Sequence, residues 1–129
     1  MKTIIAGTRT FNDYEFLKKT VEESGFEITE IISGGANGVD ELGAMFALEK
    51  EIPLRVFKAD WNNLETDGAI IKTGNWGNKY NAKAGIDRNE LMAKYSDALI
   101  AIHKNNSPGT KSMINLAKKY NLKIFVKEI

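Results

Sequence analysis

Four short segments of this 129-residue chain combine glycine, hydroxyl groups and charge, and each follows an apolar run. They are Gly7-Thr8-Arg9-Thr10, then Ser33-Gly34-Gly35-Ala36-Asn37-Gly38-Val39-Asp40, then Ala59-Asp60-Trp61, and last His103 through Ser107-Pro108-Gly109-Thr110. Residues of these types suit an anion, phosphate above all. Glycine lets the backbone approach a ligand closely and adopt positive φ. Gly38 and the Ser107–Thr110 stretch stand where helices are expected to begin, so N–H groups and the positive dipole end would face one space. Arg9 and Arg88 offer bidentate contacts to phosphate or carboxylate. Asp40 and Asp60 are placed to accept hydrogen bonds from ribose hydroxyls or a base edge.

Each residue also has an ordinary role. Gly-Gly between a strand and a helix is turn chemistry. An aspartate in a first helical turn complements the dipole. Asp60-Trp61 would fold a long loop onto the body, an arginine inside a helix is normally solvated, and His103 ends an apolar strand, where a structural role is expected. Convergence on one edge is what raises the functional reading. No standard motif does so: Gly34, Gly35 and Gly38 give G-G-x-x-G, not G-x-G-x-x-G, and the chain has no G-x-x-x-x-G-K-[ST] loop and no G-x-S-x-G elbow.

The elements that would position these segments alternate. Strands are expected at Lys2–Ala6, Ile28–Ser33, Pro53–Phe57, Ala98–Ile102 and Lys123–Val126. Helices are expected at Asn12–Ser24, with Asn12 as cap and Tyr14, Leu17 and Val21 inward, and at Val39–Glu51, with Val39, Leu42 and Phe46 inward. Two more are expected at Lys83–Tyr95, with Leu91, Met92 and Tyr95 inward, and at Thr110–Tyr120. Alternation of this kind implies parallel pairing with helices on both faces, and unbroken apolar strands agree. The expected fold is α/β: a Rossmann-like three-layer sandwich on a five-stranded parallel sheet, order 3-2-1-4-5. Ligands bind such sheets beyond the carboxyl ends of the strands. Lys58–Ala82 is a long connection carrying Trp61, Trp76 and Tyr80, and Ala69–Tyr80 could form a hairpin around Gly74-Asn75-Trp76-Gly77.

The 18 basic and 17 acidic residues leave a net charge of +1, which argues against a protein that coats nucleic acid. With no cysteine and one histidine, neither a disulfide framework nor a zinc signature is present, and no metal or cofactor is expected. Nothing reads as a signal peptide or membrane span, so a cytoplasmic protein with no membrane partner is expected. Residues 1–129 read as one domain.

Together Gly7-Thr8-Arg9, Ile32-Ser33-Gly34-Gly35-Ala36-Asn37-Gly38-Val39-Asp40, Ala59-Asp60-Trp61, Ala84-Gly85-Ile86-Asp87-Arg88-Asn89 and Ser107-Pro108-Gly109-Thr110 resemble the SLOG (SMF/DprA–LOG) superfamily. The branch they resemble is the YspA type, small bacterial and phage proteins with a Rossmann-like domain. The resemblance implies binding of nucleotides or nucleotide-derived signals. The Lonely Guy phosphoribohydrolases of the superfamily carry an Arg-Lys pair and a P-G-G-x-G-T-x-x-E loop. Arg88 matches that arginine with Asn89 in place of lysine, and Gly109-Thr110 matches the glycine-threonine step, but Met113 stands where the glutamate would be. A thioether cannot serve as an acid or base. Leu64–Tyr80 is an insertion relative to compact members of the branch.

The expected function is therefore a module that binds a nucleotide or nucleotide-derived ligand, as sensor or sequestering protein. The expected contacts are Gly7, Thr8, Arg9, Ser33, Gly34, Gly35, Gly38, Asp40, Asp60, Trp61, Arg88, Asn89, Ser107, Gly109 and Thr110. One alternative is a nucleotide N-glycosidase of phosphoribohydrolase type with Asp40 or Asp60 acting on the sugar, so enzymatic activity stays open. The other is single-stranded DNA binding of DprA type, with Trp61, Trp76 and Tyr80 as stacking platforms. An apolar helix face would support a homodimer or larger homo-oligomer.

Overall fold

The computed structural model describes residues 1–60, 71–73, 79–81, 83–104 and 107–129. Along the chain run β1 (Lys2–Gly7), α1 (Tyr14–Ser24), β2 (Glu30–Ser33), α2 (Val39–Glu49) and β3 (Leu54–Val56). They are followed by β4 (Ile71–Thr73), β5 (Lys79–Asn81), α3 (Lys83–Tyr95), β6 (Ala98–His103), α4 (Pro108–Lys119) and β7 (Lys123–Glu128). The main sheet has five strands in the order β3-β2-β1-β6-β7, all parallel. That is the predicted 3-2-1-4-5 arrangement. The chain reverses direction across the sheet between β1 and β6, and the loops that follow the strands all lie at one edge.

The pleat explains the three layers. Successive residues of a strand point to opposite faces, so Ile5, Ile31, Ile100 and Ile102 pack with Leu17, Val21, Val39, Leu42 and Phe46 of α1 and α2. Their neighbours Ile4, Ala6, Ile32, Leu99 and Ala101 pack with Met92 and Ala93 of α3 and Met113 and Ala117 of α4. Every residue of β6 is buried, as expected of a strand covered on both sides. Edge strand β3 differs from the expectation of doubly covered strands: Leu54 and Val56 are 41% and 43% exposed.

Some local assignments change. The side chain that caps α1 is Asp13, which accepts from Phe16 N–H at 3.1 Å, and not Asn12 one residue earlier. Helix α4 starts at Pro108, where a missing N–H costs nothing, two residues before the predicted start. Leu91, predicted inward, is 55% exposed. Met92 is buried as predicted, and the rest of the buried face of α3 is drawn by Ala84, Gly85, Asn89 and Ala93, small or polar residues that let the helix lie close to the sheet.

Within the long connection, β4 pairs antiparallel with β5, Ile71 opposite Asn81 and Thr73 opposite Lys79, as a hairpin requires. The predicted turn at Gly74–Gly77 and the aromatic residues Trp61 and Trp76 lie outside the described residues. Among the described residues no helix is long and apolar enough to cross a membrane.

Candidate functional site

The edge of the sheet is knitted together at Thr8. Its N–H donates to the Ile102 carbonyl at 3.1 Å, and its hydroxyl accepts from Lys104 N–H at 3.0 Å. Its carbonyl accepts from Val39 N–H at 3.2 Å, which joins the end of β1 to the start of α2. Gly7 and Gly38 are the residues that permit this closeness. A Cβ on Gly7 would stand 2.2 Å from the Ile102 carbonyl oxygen. One on Gly38, whose φ is +75°, would stand 2.3 Å from the Thr8 oxygen and 2.4 Å from the Arg9 oxygen. Gly38 also caps α2 with no side-chain bond.

The loop after β2 turns its donors inward. Gly35 N–H donates to Ser33 Oγ at 3.1 Å, and Ser33 Oγ donates to the Asp40 carbonyl at 3.5 Å. Ala36 N–H donates to Asp40 Oδ2 at 3.4 Å, and Gly34 and Gly7 N–H groups bond the same carboxylate. Backbone N–H groups gathered in this way form an anion-accepting nest. Here the protein's own Asp40, 6% exposed, fills it at the N-terminus of α2.

Arg88 reaches this loop from α3. Its Nη1 donates to the Gly34 carbonyl at 2.6 Å, and its Nε donates to Asn89 Oδ1 at 3.0 Å. A Cβ on Gly34 would lie 2.9 Å from both Arg88 Nη1 and Asp40 Oδ2, so this glycine sits between a guanidinium and a carboxylate. Burial pushes the Asp40 carboxyl above its usual range, and the Ala36 N–H, Arg88, and the Gly34 and Gly7 N–H groups pull it back only in part. Burial likewise lowers the Arg88 pKa; Asp40 opposes that shift and the neighbouring Arg9 charge adds to it. An arginine stays charged even so.

Outside this framework lies a cleft of about 480 Å³, a volume usual for small-molecule sites. It is walled by Arg9 after β1, by Gly34 to Asn37 after β2, by Val56, Lys58 and Ala59 at the end of β3, and by Arg88. Of the predicted contacts, Arg9, Gly34, Gly35 and Arg88 line it. Ser33, Asp40 and Asn89 are buried behind the wall, and Gly7, Thr8 and Gly38 form the framework. Asp60 is exposed and is not among the residues lining this cleft. Nor are Ser107, Gly109 and Thr110, which open α4; Thr110 is buried, with its Oγ1 donating to Ser107 Oγ at 3.5 Å. Trp61 lies outside the described residues.

Sequence reasoning missed Lys58 and Val56. The signal was present, since Lys58 directly follows the third apolar run, where the other connections were read. The structure also ties Arg88, an expected ligand contact, to the Gly34 carbonyl, a bond the sequence does not reveal. Among the described residues no group of three or more histidine or acidic side chains is placed to hold a metal ion.

Residues 1–63 match the family described as YspA, cpYpsA-related SLOG. The match takes in just under half of the chain. The matched segment carries the Thr8–Arg9 turn, the Ser33–Asp40 loop and Lys58, while Arg88 comes from beyond it. Among solved structures the chain is similar to DNA processing protein A (DprA) from Streptococcus pneumoniae, with a TM-score of 0.70 and 17% identity. The alignment covers 97% of this chain and 49% of that one, so the chain spans about half the length of DprA, and the likeness is one of fold. No curated protein matches the chain by sequence.

Proposed function

We propose that this chain binds a nucleotide or nucleotide-derived ligand through its phosphate, at the cleft beyond β1, β2 and β3. The observation that carries the reading is the convergence of Arg9, Lys58 and Arg88, from three separate elements, on one cleft at the carboxyl edge of a parallel sheet. The match of residues 1–63 to a family linked to nucleotide-derived ligands supports it. The cationic side chains are the groups that meet the anion, because the N–H groups of Gly34, Gly35 and Ala36 already have partners inside the protein. Asp40 then serves as a positioning residue. It holds the loop and faces Arg88, and its burial behind the wall suits that duty better than attack on a sugar.

Thermal-shift screening against nucleoside mono- and diphosphates, cyclic nucleotides and ADP-ribose tests the reading. A ligand at about a hundred times its dissociation constant adds roughly 2.7 kcal/mol to the stability of the protein that binds it. A clear upward shift with at least one nucleotide is expected, and Arg88→Ala should remove it. A flat response across the panel, with calorimetry also silent, would overturn the proposal.

A further inference from the structure

The chain as a whole is nearly neutral, yet every charged side chain among the described residues lining the cleft is a cation: Arg9, Lys58 and Arg88. Arg88 is partly committed, through Nη1 to the Gly34 carbonyl and through Nε to Asn89. Arg9 and Lys58 are not: among the described residues neither has a carboxylate partner. The nearest buried acid, Asp40, is turned to the N–H groups of Gly7, Gly34 and Ala36. Arg9 follows β1 and Lys58 follows β3, with β2 between them. Strands two places apart are separated by roughly 9–10 Å in a sheet, so the two cations approach the cleft from opposite sides of the glycine loop.

A single terminal phosphate carries about −1.5 to −2 near neutral pH. Drawing three cations onto one such group would leave positive charge uncompensated and bring Arg9, Arg88 and Lys58 against one another. Two linked phosphoryl groups carry more charge and extend across the loop. We propose that the ligand of this cleft carries two linked phosphoryl groups laid across the ends of β1, β2 and β3, with Arg9 at one end and Lys58 at the other. Lys58 is then the residue that separates diphosphate-bearing ligands from monophosphates. The proposal rests on the reading of the cleft as a nucleotide-type anion site, and it narrows the class of ligand.

The test is calorimetry in metal-free buffer with phosphate, pyrophosphate, AMP, ADP, GMP and GDP. Pyrophosphate should bind at least about tenfold more tightly than phosphate, and at least one nucleoside diphosphate should exceed its monophosphate by a similar factor. Lys58→Ala, an exposed position whose variant should keep the wild-type melting temperature, should reduce both ratios to about twofold. Lys119→Ala, an exposed lysine on α4, should leave them unchanged and so control for general charge. Equal affinity for mono- and diphosphates, or ratios untouched by Lys58→Ala, would overturn the two-phosphate proposal while leaving the nucleotide reading intact. Tight pyrophosphate binding with no gain from any nucleoside would do the reverse. Failure of all six probes would overturn the two-phosphate proposal, and a flat thermal-shift panel beside it would overturn the nucleotide reading as well.

Discussion

Two helix entrances of the chain carry glycine, Ser33–Val39 before α2 and Ser107–Gly109 at the start of α4, and they are built to different standards. In the first, each glycine is held to its type by a neighbour. Gly38 lies against two carbonyl oxygens, and Gly34 separates Arg88 from Asp40. In the second, Gly109 has nothing within 4 Å of where a Cβ would stand, and Ser107 makes no capping bond with its side chain. Similar composition thus conceals opposite construction. One connection is a rigid wall whose N–H groups are tied to Ser33 and Asp40, and the other is an open helix start. The lesson is that glycine content marks where a backbone is able to approach a ligand, while the partners of the N–H groups decide what meets the anion.

Substitutions at the glycines are the most direct way to break this contrast. Gly38→Ala should have the largest effect. The conformation at φ +75° is strained for any residue with a Cβ, by about 1–3 kcal/mol, before the clash with Thr8 is added. Urea denaturation should show a loss of several kcal/mol or no cooperative transition, and wild-type stability would refute the tight packing described. Gly34→Ala comes next. Its methyl would force Arg88 and Asp40 apart, at a cost of about 1–3 kcal/mol typical of overpacking, and nucleotide affinity should fall with it. Gly109→Ala should go the other way. Alanine is favoured over glycine in a helix by up to about 1 kcal/mol, so a small rise in denaturation midpoint is expected with ligand binding unaffected.

Asp40 supplies the smallest and most specific effect. Its carboxyl holds its proton more tightly in the folded protein than in the unfolded chain, whose ordinary value is 3.8. The folded state therefore binds more protons over the window just above 3.8, and on this group's account stability falls as pH rises through that window and levels off above the raised value. Subtracting the stability–pH curve of Asp40→Asn from that of the wild type isolates the slope, since the other carboxyls titrate in both. A difference curve that rises with pH there would show that Asp40 is stabilised as an anion, not penalised.

The sequence carried the architecture well because the signals are repeated. Five apolar runs separated by amphipathic stretches leave little choice but a doubly wound sheet, and the pairing of β4 with β5 followed from the Gly74–Gly77 turn signal. The misplacements share a physical cause. Leu91 reads inward because leucine is hydrophobic, but the buried side of α3 is set by Met92, Asn89 and small residues. Asn12 and Asp13 are both good caps, and only the backbone path selects Asp13. At the site, the turn glycines were legible from their type. The reach of Arg88 to a carbonyl 54 residues away was not, nor was the inward direction of the Gly34 and Ala36 N–H groups, because both depend on how α3 and α2 dock.

The central claim is that the cationic cleft beyond β1, β2 and β3, and not the open start of α4, receives the anion. Titrating ¹⁵N-labelled protein with pyrophosphate and following backbone amide shifts compares the two regions in one sample. The account predicts saturable shifts concentrated at Arg9, Gly34–Asn37, Lys58–Ala59 and Arg88. Saturable shifts confined to Gly109, Thr110 and their neighbours, with the Gly34–Asn37 amides still, would contradict it.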